Sequence, residues 1–172
     1  IVSNNIRNNL NHGIYAFAAA FAGGMGITIE DNTVWGHTGP NARGITALNV
    51  LDVINNHVHS NSTGIYAENG TNPNLSSVSQ NRVYNNSIVG IAAQSNVNLV
   101  GNYVYSNAVG IRGESAFYGK VHNNLIYANT NQALLIRNWG SPSTATYTNN
   151  TIYQQVGEAV RLESSARNNR LV

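Results

Sequence analysis

Apolar and polar residues alternate in short bursts along this chain, three to five positions at a time, and the bursts recur. Around the third repeat Val53, Val58, Ile65 and Ala67 fall on one side, while Asp52, Ile54, His57, His59, Tyr66 and Glu68 fall on the other side or at turns. Such runs, rich in β-branched residues, predict short strands. No segment carries an i, i+3, i+4, i+7 stripe, and the density of asparagine opposes helix. The segments NNIRNNLNHGI (4–14), NHVHSNSTGI (56–65), NRVYNNSIVGI (81–91), NYVYSNAVGI (102–111), NLIYANTNQAL (124–134) and NTIYQQVGEAV (150–160) align, and NTVWGHTGPNARGI (32–45) joins them with an insertion. Their leading residues are Asn4, Asn32, Asn56, Asn81, Asn102, Asn124 and Asn150, spaced by 28, 24, 25, 21, 22 and 26.

A unit of that length holds two or three short strands and cannot bury its apolar side alone. Stacking coil on coil buries one continuous interior. The pattern predicts an all-β fold, a right-handed parallel β-helix of about seven coils forming a single domain over 1–172, with loops at 17–26, 36–43 and 69–77. The hand follows the rule for parallel crossovers. Two core columns are expected: Ile6, Val34, Val58, Val83, Val104, Ile126, Ile152, and Ile1, Ile29, Val53, Val78, Leu99, Val121, Tyr147. The leading asparagines should hydrogen-bond amide to amide between coils. A second ladder follows five residues later: Asn9, His37, Asn61, Asn86, Asn107, Asn129 and Gln155. A third polar column takes Asn49, Asn69, Ser95, Ser115 and Asn138. A glycine column (Gly13, Gly44, Gly64, Gly90, Gly110) gives way to Ala133 and Ala159. Alanine tolerates crowding better than positive φ, so that column marks tight packing.

Composition narrows the function classes. There are 30 asparagines, no cysteine, and nine basic against seven acidic residues, a net charge of +2. The absence of cysteine excludes a disulfide scaffold and a thiolate metal site. No run of Lys/Arg reaches three residues, which argues against nucleic acid. The longest apolar stretch, 14–26, is too short to cross a bilayer, so no membrane insertion is expected. Ile1 opens in a core column and neither end shows a cap; the chain reads as an uncapped fragment of a longer one, with end-to-end or neighbouring-domain stacking as the expected contact.

The N-x-[IV]-Y-x-N-x-x-G-[IV] repeat resembles the parallel β-helix repeats of the pectin-lyase-like superfamily, found in carbohydrate-binding and sugar-hydrolase modules. The resemblance covers essentially the whole chain. It implies a secreted, periplasmic or cell-surface protein with polysaccharide as its partner, and it leaves the activity open because this architecture hosts many.

Function must then hang on outward columns. One is aromatic: Trp35, His59, Tyr84, Tyr105, Tyr127 and Tyr153, three places after each leading asparagine. It is either a stack that covers the sheet or a platform on which sugar rings lie flat. A second column holds Arg112, Arg137 and Arg161 beside Glu114 and Glu163, either paired with one another or forming an arginine comb for acidic glycans. A third cluster, around the 36–43 insertion, offers His57, His59 and Arg43 as a base and a charge-neutralising group for abstracting the proton α to a uronate carboxylate. Calcium is not supported, since no column stacks several carboxylates. His57 and His59 project from one face but lack a third ligand, so no metal or other cofactor is expected. The leading expectation is a polysaccharide-recognising surface module. The alternatives are part of a polysaccharide lyase or C5-epimerase, and a structural stalk without ligand.

Overall fold

The computed structural model describes residues 1–18, 26–70, 76–114, 116–137, 144–163 and 169–172. Three parallel sheets of seven strands each wind around one interior, and no described residue is helical. The first sheet holds Asn5–Arg7, Thr33–Trp35, His57–His59, Arg82–Tyr84, Tyr103–Tyr105, Leu125–Tyr127 and Thr151–Tyr153. The second holds Ile14–Phe17, Arg43–Leu48, Thr63–Asn69, Val89–Ser95, Val109–Gly113, Gln132–Ile136 and Glu158–Leu162. The third holds Thr28–Glu30, Asp52–Ile54, Ser76–Ser79, Val97–Val100, Lys120–His122, Thr146–Thr148 and Arg170–Leu171. Each coil contributes one strand to each sheet in turn.

Register places like on like. Val83 pairs with Val58 and Val104, and Val78 with Val53 and Leu99. The middle members of both core columns are fully buried. An apolar side chain buried this way contributes about 1.5–3 kcal/mol, repeated at every coil.

Both asparagine ladders are continuous. The Asn81 backbone N–H and side-chain amide donate to Asn102 Oδ1, and those of Asn102 donate to Asn124 Oδ1, all at 2.9–3.0 Å. The residue before each ladder member sits in the left-handed region, with φ of 53–63° at Ser3, Asp31, Asn55, Gln80, Gly101, Asn123 and Asn149. That kink turns the chain from one sheet to the next and aims the following amide along the axis. The second ladder repeats the device at Asn8, Ser60, Asn85, Ser106 and Ala128.

Four expectations need correction. The second ladder ends on Gln154, which accepts the Asn129 N–H at 3.2 Å, and not on Gln155. In the last coil no left-handed residue separates Tyr153 from the ladder position, so the longer Gln154 side chain spans the gap. The expected loop 36–43 ends before Arg43, which opens a strand; likewise Phe17 and Asn69 close strands, and Ser76 and Ser77 begin one. The rest of those outer loops, 19–25 and 71–75, and Ser115 and Asn138 of the third column lie outside the described residues.

The glycine column is crowded, as its alanines imply. A Cβ on Gly90 would come within 2.8 Å of Asn107 Nδ2, the Gly110 carbonyl oxygen and Val104 Cγ1. Gly44 faces inward, as Ile45 does, which bends the strand and turns Arg43 outward.

Candidate functional site

Two outer faces carry chemistry. On the first sheet Trp35, His59, Tyr84, Tyr105 and Tyr127 lie ring on ring, with centroids 6.0, 4.8, 5.0 and 4.9 Å apart and planes within 14° of parallel. Strands repeat at about 4.8 Å, so rings in register fit only face to face. Their faces are therefore covered and their edges point to water. Arg7 lies over Trp35, and Arg82 bridges Tyr84 and Tyr105, donating to the Tyr105 hydroxyl at 2.6 Å. Tyr153 stands exposed at the end of the column. Burial, and then the nearby His57, hold the His59 imidazole below its ordinary pKa.

The second sheet differs. Four of the nine basic and four of the seven acidic residues line its outer face: Arg43, Glu68, Arg112, Glu114, Arg137, Glu158, Arg161 and Glu163. Beneath them Val89, Ala92, Val109 and Leu135 form a separate buried apolar cluster, with Tyr66 packed against it. Above this floor runs a groove of about 350 Å³, bounded by Ile88, Arg112, Gln132, Arg137 and Arg161. It adjoins a recess of about 150 Å³ between Arg43, Tyr66, Arg112 and Glu114, which shares Ile88 and Arg112 with it.

The arginines of this face are mostly paired. Arg112 binds Glu114 through two nitrogens at 2.5 and 2.6 Å, Arg137 meets Glu163 at 3.3 Å, and Arg161 meets Glu158 at 3.3 Å. Arg112, Leu135 and Arg161 share one column, whereas Arg137 stands in the next beside Glu163. The three arginines thus form two staggered rows and not a single comb. The Arg43 guanidinium carbon lies over the Tyr66 ring, 3.8 Å from its centroid. The Tyr66 hydroxyl lies 2.9 Å from Glu68 Oε2 and 3.1 Å from Gln94 Oε1. Burial, and then its hydrogen bond to Glu68, push the phenol well above its ordinary pKa.

The expected trio does not converge. His57 and His59 project from the first sheet, with His57 facing Thr33 and Arg82, whereas Arg43 projects from the second beside Thr63. Tyr66, which lies under Arg43, and Glu68 and Gln94, which bond its hydroxyl, went unrecognised in the sequence, where their one signal was departure from the repeat at outward positions. Among the described residues no group of three or more His, Asp or Glu side chains could hold a metal ion.

Three parallel sheets, in-register columns and two amide ladders define a parallel β-solenoid. The chain belongs to the right-handed beta helix family, whose model, described as a right handed beta helix region, matches residues 41–172. A crystal structure of the periplasmic alginate epimerase AlgG is similar with a TM-score of 0.61 at 18% identity, covering 96% of this chain and 43% of that one. A mutant of that enzyme is similar with a TM-score of 0.68 at 19% identity, covering 98% and 44%. This chain spans less than half the length of either, and at such identity the likeness is one of fold. No curated protein matches the sequence.

Proposed function

We propose that this β-helix recognises polysaccharide on its outer surface, in a secreted, periplasmic or cell-surface setting. The observation that carries the reading is the second sheet's outer face, where an apolar floor lies under a row of charged side chains along an open groove. Sugar rings offer apolar C–H faces and hydroxyl edges, and a floor with polar walls suits both. The fold shared with a periplasmic alginate epimerase supports the same ligand class. The aromatic column would contribute at its edges and at the exposed Tyr153, since its ring faces are occupied. Further coils, from a longer chain or a second copy, would continue both ladders at either end.

Affinity electrophoresis against soluble acidic and neutral polysaccharides tests this. The parent protein should be retarded by at least one, and Arg112→Ala with Arg161→Ala should relieve the retardation. Relief by Trp35→Ala and Tyr84→Ala instead would move the ligand to the first sheet. Absence of retardation throughout would leave the structural stalk.

A second reading, a lyase or C5-epimerase of uronate glycans, is favoured by the meeting of Arg43, Tyr66 and Glu68. Arg43 would neutralise the substrate carboxylate while a neighbouring group takes the α-proton. Ultraviolet absorbance of unsaturated products from pectate or alginate, or solvent deuterium entering at C5, would reveal it. Both should vanish in Arg43→Ala.

A further inference from the structure

We infer that the recess between Arg43, Tyr66 and Arg112 is a subsite for one singly charged acidic group on a sugar, a carboxylate or an ester sulfate; the inference rests on the polysaccharide reading above. Three observations carry it. First, Arg43 has no acidic partner among the described residues, unlike the three arginines further along the face. Its one side-chain contact of note is the Tyr66 ring beneath it, at 3.8 Å.

Second, that contact orients the guanidinium. The guanidinium carbon sits 3.8 Å from the ring centroid, so the ring supports the group from one side, and no described side chain accepts a hydrogen bond from its N–H donors. A planar fork fixed in this way matches the two oxygens of a carboxylate. Tyr66 is itself immobilised, by Glu68 and Gln94 at its hydroxyl and by the apolar cluster at its flank. The support therefore spans three layers: apolar floor, phenol ring, guanidinium.

Third, the charges lining the recess are two arginines and one glutamate. Glu114 is committed to Arg112 through two short contacts, and Glu68 bonds the Tyr66 hydroxyl and does not line the recess, so no described carboxylate pairs with Arg43. A singly charged group would neutralise it. A neutral sugar would leave guanidinium donors facing a half-enclosed space without an acceptor of matching charge. Thr63 and Asn41 at the rim supply polar groups for neighbouring hydroxyls. His12 sits on the adjacent coil, and burial, followed by the charge of Arg43, holds its imidazole below the ordinary pKa. That ring stays neutral near pH 7 and does not compete for the anion.

The test follows the Arg43 side-chain Nε–H signal by NMR while D-glucuronate, D-glucose 6-sulfate or D-glucose is added to the protein. A saturable shift with one or both acids, and none with glucose, is expected. Arg43→Lys, which keeps the charge and loses the fork, should weaken the response to the carboxylate several-fold, read from the neighbouring Thr63 amide. Response to glucuronate alone assigns a carboxylate, and response to the sulfate alone assigns an ester sulfate. A silent Arg43, or an equal shift with glucose, overturns the subsite. The two readings fail separately. Polysaccharide retardation unaffected by Arg43→Lys, with Arg43 silent, would sink the subsite and keep the module. A saturable Arg43 shift without retardation by any polymer would keep the subsite and sink the module.

Discussion

Asn102→Ala removes one rung from the middle of the first ladder. Asn102 Oδ1 accepts the Asn81 backbone N–H and the Asn81 side-chain amide, each at 3.0 Å. Its own amide donates to the Val78 carbonyl and to Asn124 Oδ1, each at 2.9 Å. After truncation the partners are not equally affected. Asn81 Nδ2 keeps the carbonyls of Val53 and Ser79, and Asn124 Oδ1 keeps the Asn102 backbone N–H. Those losses fall in the range of ordinary bonds, about 0.5–1.5 kcal/mol each. The Asn81 backbone N–H loses its acceptor in a fully buried site, and an orphaned donor costs about 1–3 kcal/mol. Together the substitution should cost about 3–5 kcal/mol, against about 0.5 kcal/mol for an exposed control such as Asn131→Ala. Asn102→Asp should be at least as damaging, since it sets a carboxylate oxygen against the Val78 carbonyl and Asn124 Oδ1. Urea unfolding followed by circular dichroism gives the global loss. Amide exchange at Asn81 gives the local one, with protection expected to collapse at that residue and persist in the second ladder. If Asn102→Ala tracks Asn131→Ala within about 1 kcal/mol, or the Asn81 amide exchanges as slowly as in the parent, the ladder does not hold the coils.

Three further outcomes follow from named atoms. Among the described residues the Tyr147 hydroxyl is buried without a partner, and burial raises its pKa, so Tyr147→Phe should stabilise the fold by about 1 kcal/mol in thermal or urea melts. Ala128 holds φ at 53° where other coils place Asn, Ser or Gly, so Ala128→Gly should gain about 0.5–1 kcal/mol and Ala128→Asn at least as much; a loss in both would refute the assignment of strain there. His59 has its pKa lowered in the folded stack, so the unfolded chain takes up the proton first. Stability should be flat above the unfolded value of 6.5 and fall as pH drops below it, until the native ring also titrates. His59→Tyr should flatten that part of the pH profile, leaving the contribution of His12, whose pKa is lowered too.

The interior was legible because a parallel stack in register superposes equivalent residues, and superposition forces equivalent chemistry. Val58 over Val34 and Asn81 over Asn56 are the same packing problem solved twice, so the repeated letters give the column. The left-handed residue before each ladder asparagine was present as a run of Ser, Asp, Asn, Gln and Gly, but those types also mark ordinary turns. Ring orientation on the first sheet followed from strand spacing alone, although the letters could not say that the faces were used up. What stayed hidden was the environment of Arg43. The insertion before it masks the start of its strand, and two consecutive buried residues after it, Gly44 and Ile45, break simple alternation. Tyr66 meets it across coils, and Glu68 and Gln94 meet the Tyr66 hydroxyl, through rotamers that periodicity does not encode.

The same superposition separates support from recognition on the outside. A uniform column presents the same group every 4.8 Å or so, and a ligand sliding by one coil would find the same contacts, so uniformity gives affinity without register. The first sheet is of this kind from His59 to Tyr127, where each ring repeats its neighbour. Along the second sheet one outward column reads Tyr15, Thr46, Tyr66, Ala92, Arg112, Leu135 and Arg161. No two adjacent members are alike, so this column forgoes the ring stacking and amide pairing that like neighbours would make. On the polysaccharide reading, a column of unlike members would let a ligand find one position along the groove. A chain of sugars lying along the groove would be fixed in register by Arg43 at one end and Arg161 at the other, which a homogeneous column could not do.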